Sequence, residues 1–386
     1  IMFIPFGEFA PDSDGINPKY SAKAQNVYPM ADGYELIKLW TATYTSTLTS
    51  RVMGAKRVST GNILSGEDAK IYFNSTAITG LTLANLDAGY YWNIIEFGTL
   101  GIFVGKGNAP IKTTSLTTAV TAVALGGSPP QAACAAVLRE FVVLGDIAST
   151  PSRVQWSGFN DAEGWTPGTN QSDFQDLPTE NGDVKAIVGG EEGVVFQERG
   201  ITRMTYVGVP LVFQFDQISS VGINSSMSVV PVDNDIYYLS SDGFKVLKGG
   251  INPLPIGVNR VDKIFAGQTT AIGAYDPYRN CVMWYVSGIG VLSYKIDLDR
   301  WSKISTNINF IASNYDDRML AWNTSHTAGT FLETADKTTE SIILESGVHD
   351  FGQVVMITSI RPLHREKGAA IAVSLAQELE DIRIYY

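Results

Sequence analysis

Histidine and cysteine are scarce in this chain, three and two among 386 residues. His326, His349 and His364 are scattered and lack the i, i+4 spacing of a helical zinc pair. Cys134 and Cys281 lie far apart in Ala-Ala-Cys-Ala-Ala and Asn-Cys-Val-Met-Trp, contexts of buried strand positions where cysteine acts as a small hydrophobe. They read as core residues rather than a disulfide. Charge is sparse too: 17% of residues are charged, against ~25% in ordinary soluble domains, which suits a protein that hides much of its surface against neighbours. Basic residues number 28 against 39 acidic ones, a net −11, so there is no broad basic footprint for gripping DNA phosphates. An acidic wall would instead let passing duplex slide. The longest uncharged stretch, Thr113 to Leu138, is broken by Thr, Gly and Pro and is no membrane helix. The opening residues Ile1 to Phe6 show neither the basic flank nor the long apolar run of a signal peptide.

Helical periodicity is almost missing as well. Two short candidates remain, about Pro18 to Gln25 and about Ala369 to Leu379, the second rich in β-formers. What fills the chain is short apolar runs separated by Gly, Asn, Asp, Ser and Pro. Examples are Lys70-Ile71-Tyr72-Phe73, Gly101-Ile102-Phe103-Val104, Phe141-Val142-Val143-Leu144 and Ile236-Tyr237-Tyr238-Leu239. Val, Ile, Tyr, Phe, Trp and Thr suit a pleated face, and a turn follows each run. With 45% hydrophobic residues, seven Trp, 17 Tyr and 17 Phe, the chain has ample material for a core.

The runs repeat. The clearest copy spans Ile272 to Ile304: a turn at Ala274 to Asn280, then Val282 to Val286, Val291 to Ile296, and a tight turn at Asp297 to Trp301. Four strands in one such unit, closed by a turn and a Trp, read as a propeller blade. Weaker copies lie near 50–85, 90–125, 135–167, 184–217, 226–256 and 309–345. The expected fold is therefore all-β, a six- or seven-bladed β-propeller with a small additional C-terminal β segment. A ring of blades leaves only short, protected sheet edges, which accommodates so many short strands. The expected division is an extended N-terminal strap over 1–45, the propeller over 46–345 and the C-terminal β segment over 346–386.

Catalytic patterns fail on inspection. No Gly-x-Ser-x-Gly elbow occurs. The run Gly101 to Lys106 resembles a phosphate loop, but it is one residue short and Gly107 stands where Ser or Thr is needed, so it reads as a hairpin turn. Asp12-Ser13-Asp14-Gly15, Asp233-Asn234-Asp235 and Asp297-Leu298-Asp299 offer oxygen ligands without completing a calcium loop, and read as turns. Asp242, with Glu191 and Glu192, is the set to weigh for glycosidase chemistry, yet nothing in the sequence brings them to one face. Asp242-Gly243 reads as a hairpin turn. No catalytic residue, cofactor site or metal site is expected.

A run in the middle of the chain is more distinctive. It begins Gln155-Trp156-Ser157-Gly158-Phe159-Asn160-Asp161-Ala162-Glu163-Gly164-Trp165, continues through Asp173-Phe174-Gln175-Asp176-Leu177-Pro178, and then reads Val194-Val195-Phe196-Gln197-Glu198-Arg199-Gly200-Ile201. Phe213-Gln214-Phe215 and Tyr237-Tyr238-Leu239-Ser240-Ser241-Asp242-Gly243-Phe244 follow, and the opening Phe3-Ile4-Pro5-Phe6-Gly7-Glu8-Phe9-Ala10-Pro11-Asp12 with Asn26-Val27-Tyr28-Pro29 completes the order. Taken together these strings resemble the tail hub, or nozzle, proteins of short-tailed bacteriophages, also called tail-tube or DNA-stabilisation proteins. Specific strings cover roughly 2–35 and 150–250; elsewhere the likeness is of rhythm alone.

The resemblance implies a virion component of the phage tail, not an enzyme, assembled as six copies below the portal and adaptor rings. Such a ring extends the channel for genome ejection, helps retain packaged double-stranded DNA without reading its sequence, and carries fibres, spikes or needle proteins. Ile360-Arg361-Pro362-Leu363 resembles the domain that follows the propeller in these proteins. Candidate interface residues are Gln197, Glu198 and Arg199, with Phe3, Phe6 and Phe9. Glu198 and Arg199 either support a blade turn through a surface ion pair worth ~0–1 kcal/mol or face a neighbouring subunit or the adaptor. The proline-rich segment through Tyr34 is either a strap closing the propeller or an arm onto a neighbour. The alternatives are a carbohydrate-binding or carbohydrate-active propeller and a cellular protein-interaction propeller, the latter without Trp-Asp pairs or a double glycine repeated in each blade.

Overall fold

The computed structural model describes residues 6–13, 19–37, 40–44, 48–118, 121–265, 270–305, 307–315, 318–325, 328–331 and 341–346. Within them the apolar runs become strands, and the turn residues between them fold each group of four into one antiparallel sheet. Blade 1 starts at Gly54–Arg57 and blade 2 comprises Asn93–Phe97, Leu100–Val104, Ile111–Thr113 and Ala122–Ala124. Blade 3 runs through Cys134–Leu138, Phe141–Ile147, Thr150–Trp156 and Asp173–Asp176. Blade 4 has Val184–Val188, Gly193–Gln197, Gly200–Gly208 and Val212–Ser219; blade 5 has Val230–Val232, Asp235–Ser240, Gly243–Lys248 and Asn252–Pro255. Blade 6 contains Ile272–Asp276, Cys281–Val286, Gly290–Lys295 and Arg300–Ile304.

Blade 7 is assembled from both sides of the chain. Ile308–Ala312, Leu320–Asn323 and Ala328–Phe331 pair in order, and the fourth strand is Trp40–Tyr44, with Phe331 opposite Trp40 and Ala328 opposite Tyr44. The first strands of neighbouring blades pack side by side, blade 4 reaching blade 5 through the short 3-10 turn Ser226–Ser228. Ile308–Ala312 then packs back onto Gly54–Arg57 of blade 1. The ring is closed, and the protein is a seven-bladed β-propeller. Pairing an early strand with a late one ties the circle shut, and a closed ring of blades leaves only short, protected sheet edges.

The N-terminal strands enlarge blade 6. Tyr20–Gln25 joins Arg300–Ile304 through the parallel pair Gln25 and Lys303, Glu8–Phe9 adds in parallel outside it, and Ile343–Ser346 pairs with it antiparallel. The helix expected near 18–25 is thus replaced by the strand Tyr20–Gln25. Ala22-Lys23-Ala24-Gln25 has good helix propensity, but the sheet edge supplies partners for its backbone, and tertiary context overrides so weak a preference. Asn26, at φ +59, ends the strand and ties it to two distant segments. Its N–H donates to the Lys303 carbonyl at 2.8 Å, its Oδ1 accepts from Ser305 N–H at 2.7 Å, and its Nδ2 donates to the Ser341 carbonyl at 2.7 Å. The second helix candidate, the three histidines, Phe3 and positions 347–386 of the expected C-terminal segment lie outside the described residues.

Side chains pack between the blades. Phe244 of blade 5 meets Trp284 and Trp301 of blade 6 at ring-centroid distances of 4.7 and 5.1 Å. Both indoles are buried with their N–H groups satisfied: Trp284 donates to the Ser228 carbonyl at 2.9 Å and Trp301 to that of Ile256 at 3.0 Å. Cys134 and Cys281 are buried and free, and burial pushes both thiols up, Cys281 to about 12. The run expected as a hairpin turn at 101–106 is mostly strand, since Leu100–Val104 is the second strand of blade 2. Gly101 faces Leu64 of blade 1, where a Cβ would collide, so the glycine serves blade-to-blade packing.

Candidate functional site at the propeller axis

The first strands of the blades lie innermost, and where those of blades 2 to 4 begin, together with the segments before blades 5 and 6, they line a cavity of about 160 Å³. Blade 2 contributes Tyr90, Tyr91 and Asn93 to its wall, blade 3 contributes Asp146, and blade 4 contributes Lys185. The segment before blade 5 closes it with Asn224, Ser225 and Ser226.

Asp146 is the unusual member. Its side chain is 1% exposed, in the otherwise apolar strand Phe141–Ile147. Its backbone sits at φ +52 on a β-bulge, where the pairing with Thr150–Trp156 shifts between Gly145 and Ile147. A non-glycine residue in that region is uncommon, and bulges recur where a strand re-aims a side chain. Here the bulge brings the carboxylate to Lys106, whose Nζ donates to Oδ1 at 2.9 Å and Oδ2 at 3.1 Å. The same ammonium donates to Tyr90 Oη at 2.9 Å and stands 4.6 Å from that ring's centroid. Burial disfavours the charged ammonium, but the Tyr90 and Asp146 hydrogen bonds outweigh it and hold Lys106 above the ordinary lysine range. Lys185 repeats the pattern: burial opposes its charge, the Glu198 carboxylate at 2.9 Å overcomes it, and the ammonium is again held up. Lys106, behind Asp146, and Lys185, on the cavity wall, are thus each neutralised by a carboxylate. The arrangement offers oriented hydrogen-bond partners rather than a net field.

The sequence-derived candidates fall elsewhere. Gln197 is 0% exposed, and its Nε2 donates to the carbonyls of Pro178 at 3.2 Å and Gly182 at 2.8 Å. This corrects its expected place at an interface: the side chain braces the loop entering blade 4 and presents nothing outward. Glu198 and Arg199 form the turn between Gly193–Gln197 and Gly200–Gly208, where Arg199 lies 3.6 Å from Glu198 and donates Nε to the Glu180 carbonyl at 2.9 Å. Phe9 is buried among the residues between blades 5 and 6, whereas Phe6 beside it is exposed. That placement corrects Phe9 from interface residue to core residue, because its ring fills the space beneath the N-terminal strands.

The weighed carboxylates stay apart in function. Asp242 accepts from Lys245 at 2.8 Å within its own hairpin, and Glu191 pairs with Arg139 of blade 3 at 3.2 Å. Among the described residues no group of three or more His, Cys, Asp or Glu stands ready to hold a metal ion. Nor is any helix among them long and apolar enough to cross a membrane. Sequence reasoning missed Lys106, Asp146 and Tyr90. The available signal was an aspartate inside Phe-Val-Val-Leu-Gly-Asp-Ile, since a charge in a fully buried run calls for a partner.

A second feature stands at the rim. Gly200–Gly208 and Val212–Ser219 are the longest strands among the described residues, and the hairpin they form ends in Val-Gly-Val-Pro-Leu. Val209 is 71% and Leu211 61% exposed there.

Compared with known proteins, the chain matches no family model and no curated protein. Solved structures do resemble it. Two are of an extracellular domain from B. thetaiotaomicron, described in one case as part of a one component system and in the other as part of a hybrid two component system. They share 11% and 12% identity with this chain at a TM-score of 0.51 in both cases, and cover 75% and 78% of it. The WD40 domain of Neurospora crassa Pan2 matches at TM-score 0.45 and 8% identity, over 75% of this chain and 95% of that domain. This chain spans 39% and 40% of the two extracellular domains. Identities this low speak to the fold alone.

Proposed function

We propose that this propeller is a structural subunit of the tail hub, or nozzle, of a short-tailed bacteriophage, set as a ring of six below the adaptor. There it lengthens the channel for packaged DNA, helps retain the genome until ejection, and provides attachment for fibres or spikes. The observation that carries the reading is the order of the strings from Gln155 to Phe244, preceded by Phe3 to Pro29. In the structure the first group occupies consecutive blades 3, 4 and 5, and the described part of the second forms the strands laid on blade 6.

Physical features support it. Sparse charge suits extensive burial against neighbours, and the net −11 suits a wall past which DNA moves without being held. Of the described residues lining the axial cavity, Asp146 is the one carboxylate, and it is bound to Lys106, whereas glycoside hydrolysis ordinarily needs two carboxylates flanking the bond.

Immunogold labelling of intact virions with antibody against this chain, read by electron microscopy, tests the reading. Gold confined to the tail vertex is the expected result. Gold spread over the capsid, or none on virions while infected cells blot positive, overturns it.

A further inference from the structure

We infer that the axial cavity is a binding site for a single neutral sugar ring, a free monosaccharide or the terminal unit of a glycan. This goes beyond the tail-hub reading and does not depend on it. Size sets the first limit: about 160 Å³ is below the ~300–1,000 Å³ of sites for drug-sized ligands, and equals roughly five waters at ~30 Å³ each. One small polar molecule fits.

Charge sets the second limit. An anion would need an unpaired cation, but Lys106 is held by Asp146 at 2.9 Å and Lys185 by Glu198 at 2.9 Å. A metal ion would need several carboxylates, and the wall offers one. What remains is hydrogen-bonding capacity fixed in place. Asp146 lines the wall, but its side chain is 1% exposed and both oxygens accept from Lys106, so its part is to hold Lys106 and, through it, Tyr90 in place. Tyr90 accepts from Lys106, which leaves its own O–H to donate. The Asn224 carboxamide and Ser226 hydroxyl add donors and acceptors, and neither has a partner among the described residues. Tyr90 and Tyr91 supply aromatic surface for the C–H face of a pyranose. Acceptor, donor and aromatic face around a small, charge-balanced space match a polyhydroxylated ring.

The strained backbone at Asp146 agrees with this. A bulge and a positive φ meet at this residue, and both recur beside functional sites.

The test is saturation-transfer NMR on the full chain with D-glucose, D-galactose, D-mannose, N-acetyl-D-glucosamine and L-rhamnose at millimolar concentration. Inorganic phosphate and glycine are run beside them in thermal-shift measurements. At least one sugar is expected to receive saturation from the wild-type protein, with the signal lost in Asp146→Asn and in Ser226→Tyr. Ser226 lies half-buried on a short turn at the wall, so its tyrosine variant fills the cavity while leaving the blades in place, which circular dichroism verifies. The proposal is overturned if no sugar receives saturation from wild type, or if transfer persists in Ser226→Tyr. It is also overturned if phosphate or glycine raises the melting temperature while the sugars do not. Immunogold results for the tail-hub reading leave these outcomes unaffected.

Discussion

Blades 4 and 6 handle their outer edges in opposite ways. Blade 6 continues outward through Tyr20–Gln25, Glu8–Phe9 and Ile343–Ser346, so its fourth strand is paired on both sides. Polar contacts hold that cover in place: Arg260 lies 3.0 Å from Glu8 and 2.7 Å from Asp299, and Lys263 N–H donates to Asp12 at 2.6 Å. Blade 4 ends at Val212–Ser219 with no further strand paired to it among the described residues, and its hairpin tip carries bare valine and leucine. Unpaired edges and exposed apolar tips are where protein surfaces find partners. The contrast separates a side of the ring completed within the chain from a side with capacity left over.

The contrast is broken most severely at Trp301. Trp301→Ala removes a buried indole and strands the Ile256 carbonyl, and should cost about 3–5 kcal/mol, read as a lower denaturant midpoint. Phe9→Ala should cost less, about 1–3 kcal/mol, because the strap can lift before the ring opens. Hydrogen exchange should accelerate across Tyr20–Gln25 and stay slow in blades 1 to 3.

Smaller still is a pH effect at Asp262, next to the strap. Burial, with the nearby Asp12 and Asp242 charges, raises its carboxyl to about 6 despite the hydrogen bond from Phe244 N–H. The folded protein therefore binds a proton more tightly than the unfolded chain, whose aspartates titrate near ~3.9. The stability it contributes is complete below about 4 and disappears as pH rises through about 6. Asp262→Asn should show little advantage at pH 4 and greater stability than wild type at pH 7, by under about 1 kcal/mol because solvent reaches the site, read as a higher melting temperature. The smallest effect on stability is expected for Val209→Ser with Leu211→Ser, within ~0.5 kcal/mol. The double variant should nonetheless stay monodisperse at higher concentration in light scattering.

Much of the fold was legible because strand and turn preferences are local. The repeat from Ile272 to Ile304 appears as a blade, and so do its weaker copies except that at 309–345, which lacks its fourth strand, because alternating apolar residues and Asn, Asp and Gly turns act within a few positions. Ala22-Lys23-Ala24-Gln25 was misleading for the same reason, since its local preference is outvoted by a sheet edge contributed by residues near 303 and 343. The candidate site was hardly legible at all. Lys106 and Asp146 are forty positions apart and meet only because blades 2 and 3 are neighbours around the axis. Gln197 and Phe9 drew attention through their surrounding strings, yet the side chains turn inward.

By itself the sequence determined an all-β chain of short strands with a regular four-strand rhythm, because side-chain alternation and turn chemistry are properties of neighbouring residues. Only the tertiary structure decided that the blades number seven, that Trp40–Tyr44 completes the last of them, and that a lysine and an aspartate from different blades pair beside the axial cavity. Those outcomes depend on which distant strands meet when the ring closes. Closure is governed by the summed twist and packing of all the blades, and no local stretch of residues encodes it.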